Sequence, residues 1–212
     1  LTEQEDVYYY LTVMNENYVH PDMPAGAEGD IIKGMYLFKE GGKEKKKGMR
    51  VQLTGSGTIL REVIAAAELL RTDWGVESDI WSAPSFNELR RDGIDCERWN
   101  LLHPMDEPRV PHVAKCVMSK AGPVVAATDY MRIYADSVRP YIKKTYKVLG
   151  TDGFGRSDSR ENLRRFFEVN RFYVTVAALT ALADDGVIER KVVADAITKY
   201  GIDPNKPNPT TV

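Results

Sequence analysis

The sequence predicts an α/β domain, a mostly parallel sheet with helices on both faces and a helical C-terminal third. Three observations carry that reading. Short apolar runs bounded by turn residues alternate with segments whose apolar residues recur at helical spacing. Gly-containing turns join each run to the helix that follows it. Finally, the run from Arg171 onward is helical with few strand signals. Strands that alternate with helices are joined by right-handed crossovers and buried on both faces.

In chain order, VYYYLTVMN, Val7 to Asn15, is rich in strand-favouring residues. NENYVHPDMPAGAEG reads as a linker, because Pro21, Pro24, Gly26 and Gly29 interrupt any regular element. The glycine-bounded, lysine-rich stretch 41–48 is expected to be a solvated hairpin tip. RVQLTGSGTILREVIAAAELLRTDWG is a strand, a Gly-Ser-Gly turn and a helix that buries Ile59, Val63, Ala66, Ala67 and Leu70. SDIWSAP is a second strand, followed by a helix with the Ser85/Glu88 spacing of a capping box and an expected end at Gly93. AGPVVAATD and YKVLGTDG supply two more strands, each leading into a helix. Asp158 is expected to cap the helix that contains Leu163, Phe166 and Phe167, with Glu161 as its partner. RFYVTVAALTALADDG is apolar nearly all round and expected in the core, and ERKVVADAITKYG is amphipathic. The tail after Gly201 holds Pro204, Pro207 and Pro209 and is expected to lie extended on the surface.

The totals narrow the function classes. A chain of 212 residues suits one domain plus a connecting segment. Its 29 basic and 31 acidic residues nearly cancel, which argues against nucleic-acid or membrane partners. Cys96 and Cys116 are too few for a disulfide framework and read as structural thiols in a reducing, cytoplasmic compartment. The chain starts at Leu1 rather than Met, on the threshold of an apolar run, and reads as part of a longer one.

Candidate chemistry is sparse. Gly55-Ser56-Gly57 and Gly153-Phe154-Gly155 both lie between a strand and a helix, where backbone N–H groups can hold an anion. Neither continues into a dinucleotide fingerprint or a P-loop. The residues Gly153, Gly155, Arg156, Ser157 and Arg160 therefore form a candidate anion or interface loop, weighed against a purely architectural corner. His20, His103 and His112 each lie near a proline and lack metal-ligand spacing. Ser56 lacks the frame of a nucleophile elbow. ERWNLLHPMDEPRVP gathers Trp99, His103 and Arg109 in what reads as a contact loop. No catalytic, cofactor or metal residue is assigned.

Several strings then carry a resemblance: VYYYLTVMNENYVHPDMP, LTGSGTILREV, SFNELRRDGIDCERWNLLHP, TDYMRIYADSVRPY and above all VLGTDGFGRSDSRENLRRFFEV. They resemble the C-terminal part of the homodimeric bacterial pyruvate dehydrogenases, in the transketolase superfamily. The resemblance implies that residues 1–35 end a preceding, pyrimidine-binding domain and its linker, and that residues 36–212 form the C-terminal domain. It implies a parent that uses thiamine diphosphate and Mg²⁺, with a second subunit and a dihydrolipoyl acetyltransferase as partners. The family's Gly-Asp-Gly cofactor motif is missing, since Gly29-Asp30 is followed by Ile31. The domain is accordingly expected to bind no cofactor and to have a structural, assembly role. The alternatives are an independent anion-binding or regulatory module, or the C-terminal domain of another transketolase-like enzyme.

Overall fold

A computed structural model describes residues 3–10 and 17–212. The chain runs through α1 (Glu28–Ile32), β1 (Tyr36–Lys39), β2 (Arg50–Gly55), α2 (Leu60–Trp74), β3 (Glu77–Ser82), α3 (Phe86–Leu102) and α4 (His112–Val117). It continues through β4 (Val124–Ala127), α5 (Arg132–Asp136), β5 (Tyr146–Leu149), α6 (Arg160–Phe166), α7 (Arg171–Asp184) and α8 (Arg190–Lys199). The four strands read from the sequence are β2, β3, β4 and β5, and they pair in parallel. The sheet order is β1-β3-β2-β4-β5, with β1 added antiparallel to the edge of β3.

Alternation along each strand divides the interior into two cores. On one side Val51, Leu53, Ile80, Val125 and Ala127 meet Val63, Ala66 and Leu70 of α2, Val174, Ala178 and Leu182 of α7, and Ala196 of α8. On the other, Trp81, Val124, Ala126 and Val148 meet Phe86 and Leu89 of α3 and Val113 and Val117 of α4. The stretch Arg160–Asp184 is long and apolar enough by composition to cross a membrane. Here it breaks into α6 and α7, and α7 inserts its apolar face into the first core.

Five expectations change. The residues Val7 to Tyr10 form no strand and are exposed, and the remainder of that run, residues 11–15, lies outside the described residues. Stretch 41–48 is not a hairpin tip, because β3 lies between β1 and β2 and the loop must pass its edge. Gly93 does not end α3. A Cβ there would overlap the Tyr141 ring, so glycine permits the close approach of α3 to Tyr141, and the helix continues to Leu102. The cap of α6 is Ser159, whose side chain accepts from Asn162 N at 3.3 Å; Asp158 instead accepts from Ser159 N and from Asn162 Nδ2. The tail forms turns rather than an extended strand, with Lys206 Nζ donating to the Phe166 carbonyl at 2.8 Å and Pro209 buried.

The wholly buried strand β3 carries Asp79, which has no exposed surface. Arg50 donates to both its oxygens, Gly41 N donates at 2.9 Å and Gln52 Nε2 at 2.8 Å. Gln52 in turn accepts from Trp81 Nε1 at 2.8 Å. Burial works to raise the Asp79 pKa, but the hydrogen bonds from Arg50, Gly41 and Gln52 outweigh it and hold the carboxyl below its ordinary value. The same Arg50 reaches the Gly41 and Gly42 carbonyls, so this knot anchors the start of the lysine loop to the sheet edge.

Candidate functional site

The sheet order reverses between β2 and β4, and the crevice outside their carboxyl ends is where open α/β sheets place ligands. A cavity of about 460 Å³ lies there, lined by Ser56, Gly57, Ser85, Thr128, Tyr130 and Tyr134 among others. The Gly-Ser-Gly turn has an architectural reason. A Cβ at Gly55 would come within 2.7 Å of Leu60 Cα, and Gly57 has φ +52°. The Ser56 hydroxyl is committed to Thr128 Oγ1 at 2.7 Å, and that oxygen also accepts from Tyr130 N. This is a hydrogen-bonded seam between strand ends, with no base positioned to activate the serine among these contacts.

The structure does not gather the candidate loop around one point. Gly153 has φ +95° and packs against the Pro209 carbonyl of the tail. Gly155 faces open space, and Ser157 is exposed. Arg156 lies 4.8 Å over the Phe166 ring, which Lys206 also approaches. Arg160 opens α6 and faces a different depression, lined with Arg61, Arg164 and Arg171.

At that depression, a cavity of about 510 Å³, the central group is Glu62 on the first turn of α2. It is 5% exposed. Arg171 donates to it three times, from N at 2.9 Å, Nε at 3.0 Å and Nη2 at 3.1 Å, and Arg164 Nη1 adds a fourth contact at 3.3 Å. Burial acts to raise the Glu62 pKa, and the Arg171 hydrogen bonds with the two arginine charges reverse it, leaving it lowered. Asn170 caps α7 itself, accepting from Phe172 N and Tyr173 N. Arg61 sits 4.0 Å over the Tyr18 ring. Sequence reasoning missed Glu62 and Arg171, which are 109 positions apart and meet only because α2 and α7 pack on the same face.

The remaining candidates resolve locally. Trp99 and His103 belong to the end of α3, stacked at 3.5 Å and 9°, with Arg109 3.5 Å over Trp99. Asn100 clamps the Arg109 backbone from both sides, donating at 2.9 Å and accepting at 2.7 Å, so the cluster closes its own loop. His112 is buried, with Nε2 2.8 Å from the Met35 carbonyl. His20 is exposed. Cys96 is buried with its pKa raised by desolvation, and burial pushes the Cys116 thiol up to about 12, so neither is an activated nucleophile. Among the described residues no group of three or more His, Cys, Asp or Glu side chains could hold a metal ion.

The strand order, the antiparallel edge and the two helical layers define an open, doubly wound α/β domain of the transketolase type. The chain belongs to the transketolase-like C-terminal domain family, whose model matches residues 34–170. It is 66% identical over 210 residues to the pyruvate dehydrogenase E1 component of Cupriavidus necator, covering 99% of this chain and 23% of that protein. The corresponding proteins of Pseudomonas aeruginosa and Escherichia coli are 62% and 59% identical over the same length. The chain thus spans about a quarter of the length of these relatives. A solved structure of a split-gene transketolase, an inactive β4 tetramer, matches with a TM-score of 0.50 at 14% identity, covering 71% of this chain and 43% of that one, which speaks to the fold alone.

Proposed function

We propose that the chain is the C-terminal domain of a pyruvate dehydrogenase whose full-length form decarboxylates pyruvate with thiamine diphosphate and Mg²⁺ and reductively acetylates the lipoyl group of a dihydrolipoyl acetyltransferase. The observation that carries this reading is the 66% identity over 99% of the chain. The parent works as a cytoplasmic homodimer, and residues 1–35 join this domain to the one before it. The family match beginning at residue 34 supports that division.

The residues present do not fit the cofactor. Gly29-Asp30 belongs to the short helix α1, where Asp30 pairs with Lys33 at 3.0 Å, and no glycine follows it to shape a diphosphate turn. No step of the reaction is therefore derived from this chain. Its contribution is a rigid body: two cores on one sheet, locked at the edge by the Asp79 knot and at the α2–α7 seam by Glu62.

A chimera tests the assignment. Replacing the matching segment of the Cupriavidus necator protein with this chain should preserve pyruvate-dependent acetylation of a lipoyl domain. A chimera that folds and dimerises yet turns over no pyruvate would overturn the assignment. The 212-residue chain alone, supplied with thiamine diphosphate and Mg²⁺, should release no CO₂ above a protein-free blank.

A further inference from the structure

From the lysine loop between β1 and β2 we infer a docking surface for an acidic segment of another protein, independent of the assignment above. Residues 41–48 place Lys43, Lys45, Lys46 and Lys47 within five positions, and all four are exposed. None of the four ammonium groups makes a hydrogen bond or an ion pair among the described residues.

The carboxylates around the loop are committed to other donors. Glu44, the only acidic residue within it, turns back and accepts from Gly48 N at 2.9 Å. Glu77 accepts from Gly42 N, Asp79 holds Arg50 and Gly41 N, and Glu40 pairs with Lys120 at 2.7 Å. Gly48 lies beside Val187, and Asp184, at the end of α7 that leads to Val187, pairs with Lys147 and Arg190. The whole chain has a net charge of -2, so the four ammonium groups are a local concentration set against the overall sign. Like charges this close repel, and an acidic ligand relieves that repulsion as it binds.

The loop presents these charges on a fixed backbone. Arg50 Nη1 donates to the Gly42 carbonyl at 2.9 Å, and Met49 N closes a turn onto the Lys46 carbonyl at 3.1 Å. Binding therefore orders side chains and not the chain itself. The partner class follows from what the loop lacks, since no apolar or aromatic residue lies between Gly41 and Gly48. A membrane contact needs apolar residues that enter the headgroup boundary, and a nucleic-acid contact needs rings to stack on or forked donors that read base edges. A run of Asp and Glu side chains needs only point charges, which is what lysines offer.

The test is fluorescence anisotropy of a labelled hexaglutamate peptide titrated with the 212-residue chain, at about 20 mM and about 200 mM salt. Saturable binding is expected at the lower salt, weakened several-fold at the higher. Lys43→Glu with Lys45→Glu, and separately Lys46→Glu with Lys47→Glu, should each weaken it by about tenfold or more while leaving the melting temperature unchanged. The control, Lys33→Glu with Arg91→Glu, makes the same change in net charge at two exposed residues outside the loop and should bind within about twofold of the unaltered chain. No saturable binding would overturn the inference, as would binding that survives both lysine pairs or that falls equally in the control. Tighter binding through the same lysines by an oligothymidylate of matched charge, or by vesicles of phosphatidylcholine and phosphatidylserine in equal parts, would also overturn it and make the loop a nucleic-acid or lipid contact.

Discussion

Two buried carboxylates, Asp79 and Glu62, each hold arginine, and they do so in opposite settings. Asp79 is enclosed: one arginine, one glutamine and one backbone N–H share its two oxygens, and the Arg50 guanidinium spends its remaining donors on the Gly41 and Gly42 carbonyls. Glu62 is nearly as buried, but of its two arginines only Arg164 is enclosed, at 17% exposed, while Arg171 is 45% exposed and reaches the surface. The contrast lies in the arginine: Arg50 is 13% exposed and held by the sheet edge, whereas Arg171 lies nearly half in solvent.

That contrast can be broken most sharply at Asp79. Asp79→Ala leaves Arg50 and Gln52 without their shared acceptor inside the sheet and should cost about 3–5 kcal/mol, read by chemical denaturation. A loss below about 1 kcal/mol would mean that water replaces the carboxylate and the knot is not closed. Glu62→Ala should cost less, about 1–3 kcal/mol, because Arg171 can turn to solvent. If Glu62→Ala proves the more damaging, the α2–α7 seam and not the sheet edge is the critical lock.

Acid provides a gentler version of the same comparison. Both carboxyls have folded pKa values below their ordinary ones, so their stabilisation is fully present above the unfolded pKa of about 4 and is lost as pH falls through the lowered folded values. Protonation removes the charge and turns one of the two accepting oxygens into a hydroxyl, but leaves the other accepting and the side chain filling its space, so the loss should be smaller than either truncation. In a pH series of denaturation midpoints, Asp79→Asn and Glu62→Gln should each flatten the acid limb. An unchanged limb in both variants would place the acid sensitivity elsewhere. The smallest effect belongs to Arg61→Gln, which should move stability by no more than about 0.5 kcal/mol, as expected of a surface change.

How much of this could be read from the sequence depended on the range of the signal. The strands β2 to β5 and the helices after them are announced by runs of apolar residues and glycine turns, which act within ten or so neighbours, and the fold class follows from their alternation. Ser85 was legible as a cap for the same reason, and the cap of α6 was misplaced by one residue because Asp158 and Ser159 are both good cap residues. Gly93 was misread because its partner, Tyr141, lies 48 positions away, and a helix-stopping glycine looks the same in sequence as one that admits a ring. The lysine loop was misread because local turn chemistry cannot say that a third strand will lie between its flanks. The arginine cavity was half visible: Arg160 stood in a motif, but Arg61, Glu62 and Arg171 were ordinary helix-surface residues until α2 and α7 met.

The position of β1 has a consequence for the order in which the sheet assembles. A strand that pairs only with β3, across a loop from β2, has no template until β3 has itself docked on β2, so it must close last and open first. Amide hydrogen exchange should report this as a gradient across the sheet, with Tyr36 to Lys39 exchanging through a local opening while Val51 to Thr54 exchange only when the whole domain unfolds. Because Arg50 ties the Gly41 and Gly42 carbonyls to Asp79, loosening that one ion pair would widen the gradient without changing the strand order. Equal protection in β1 and β2 would show that the edge is held as firmly as the centre, and that the loop joins the sheet in a single cooperative step.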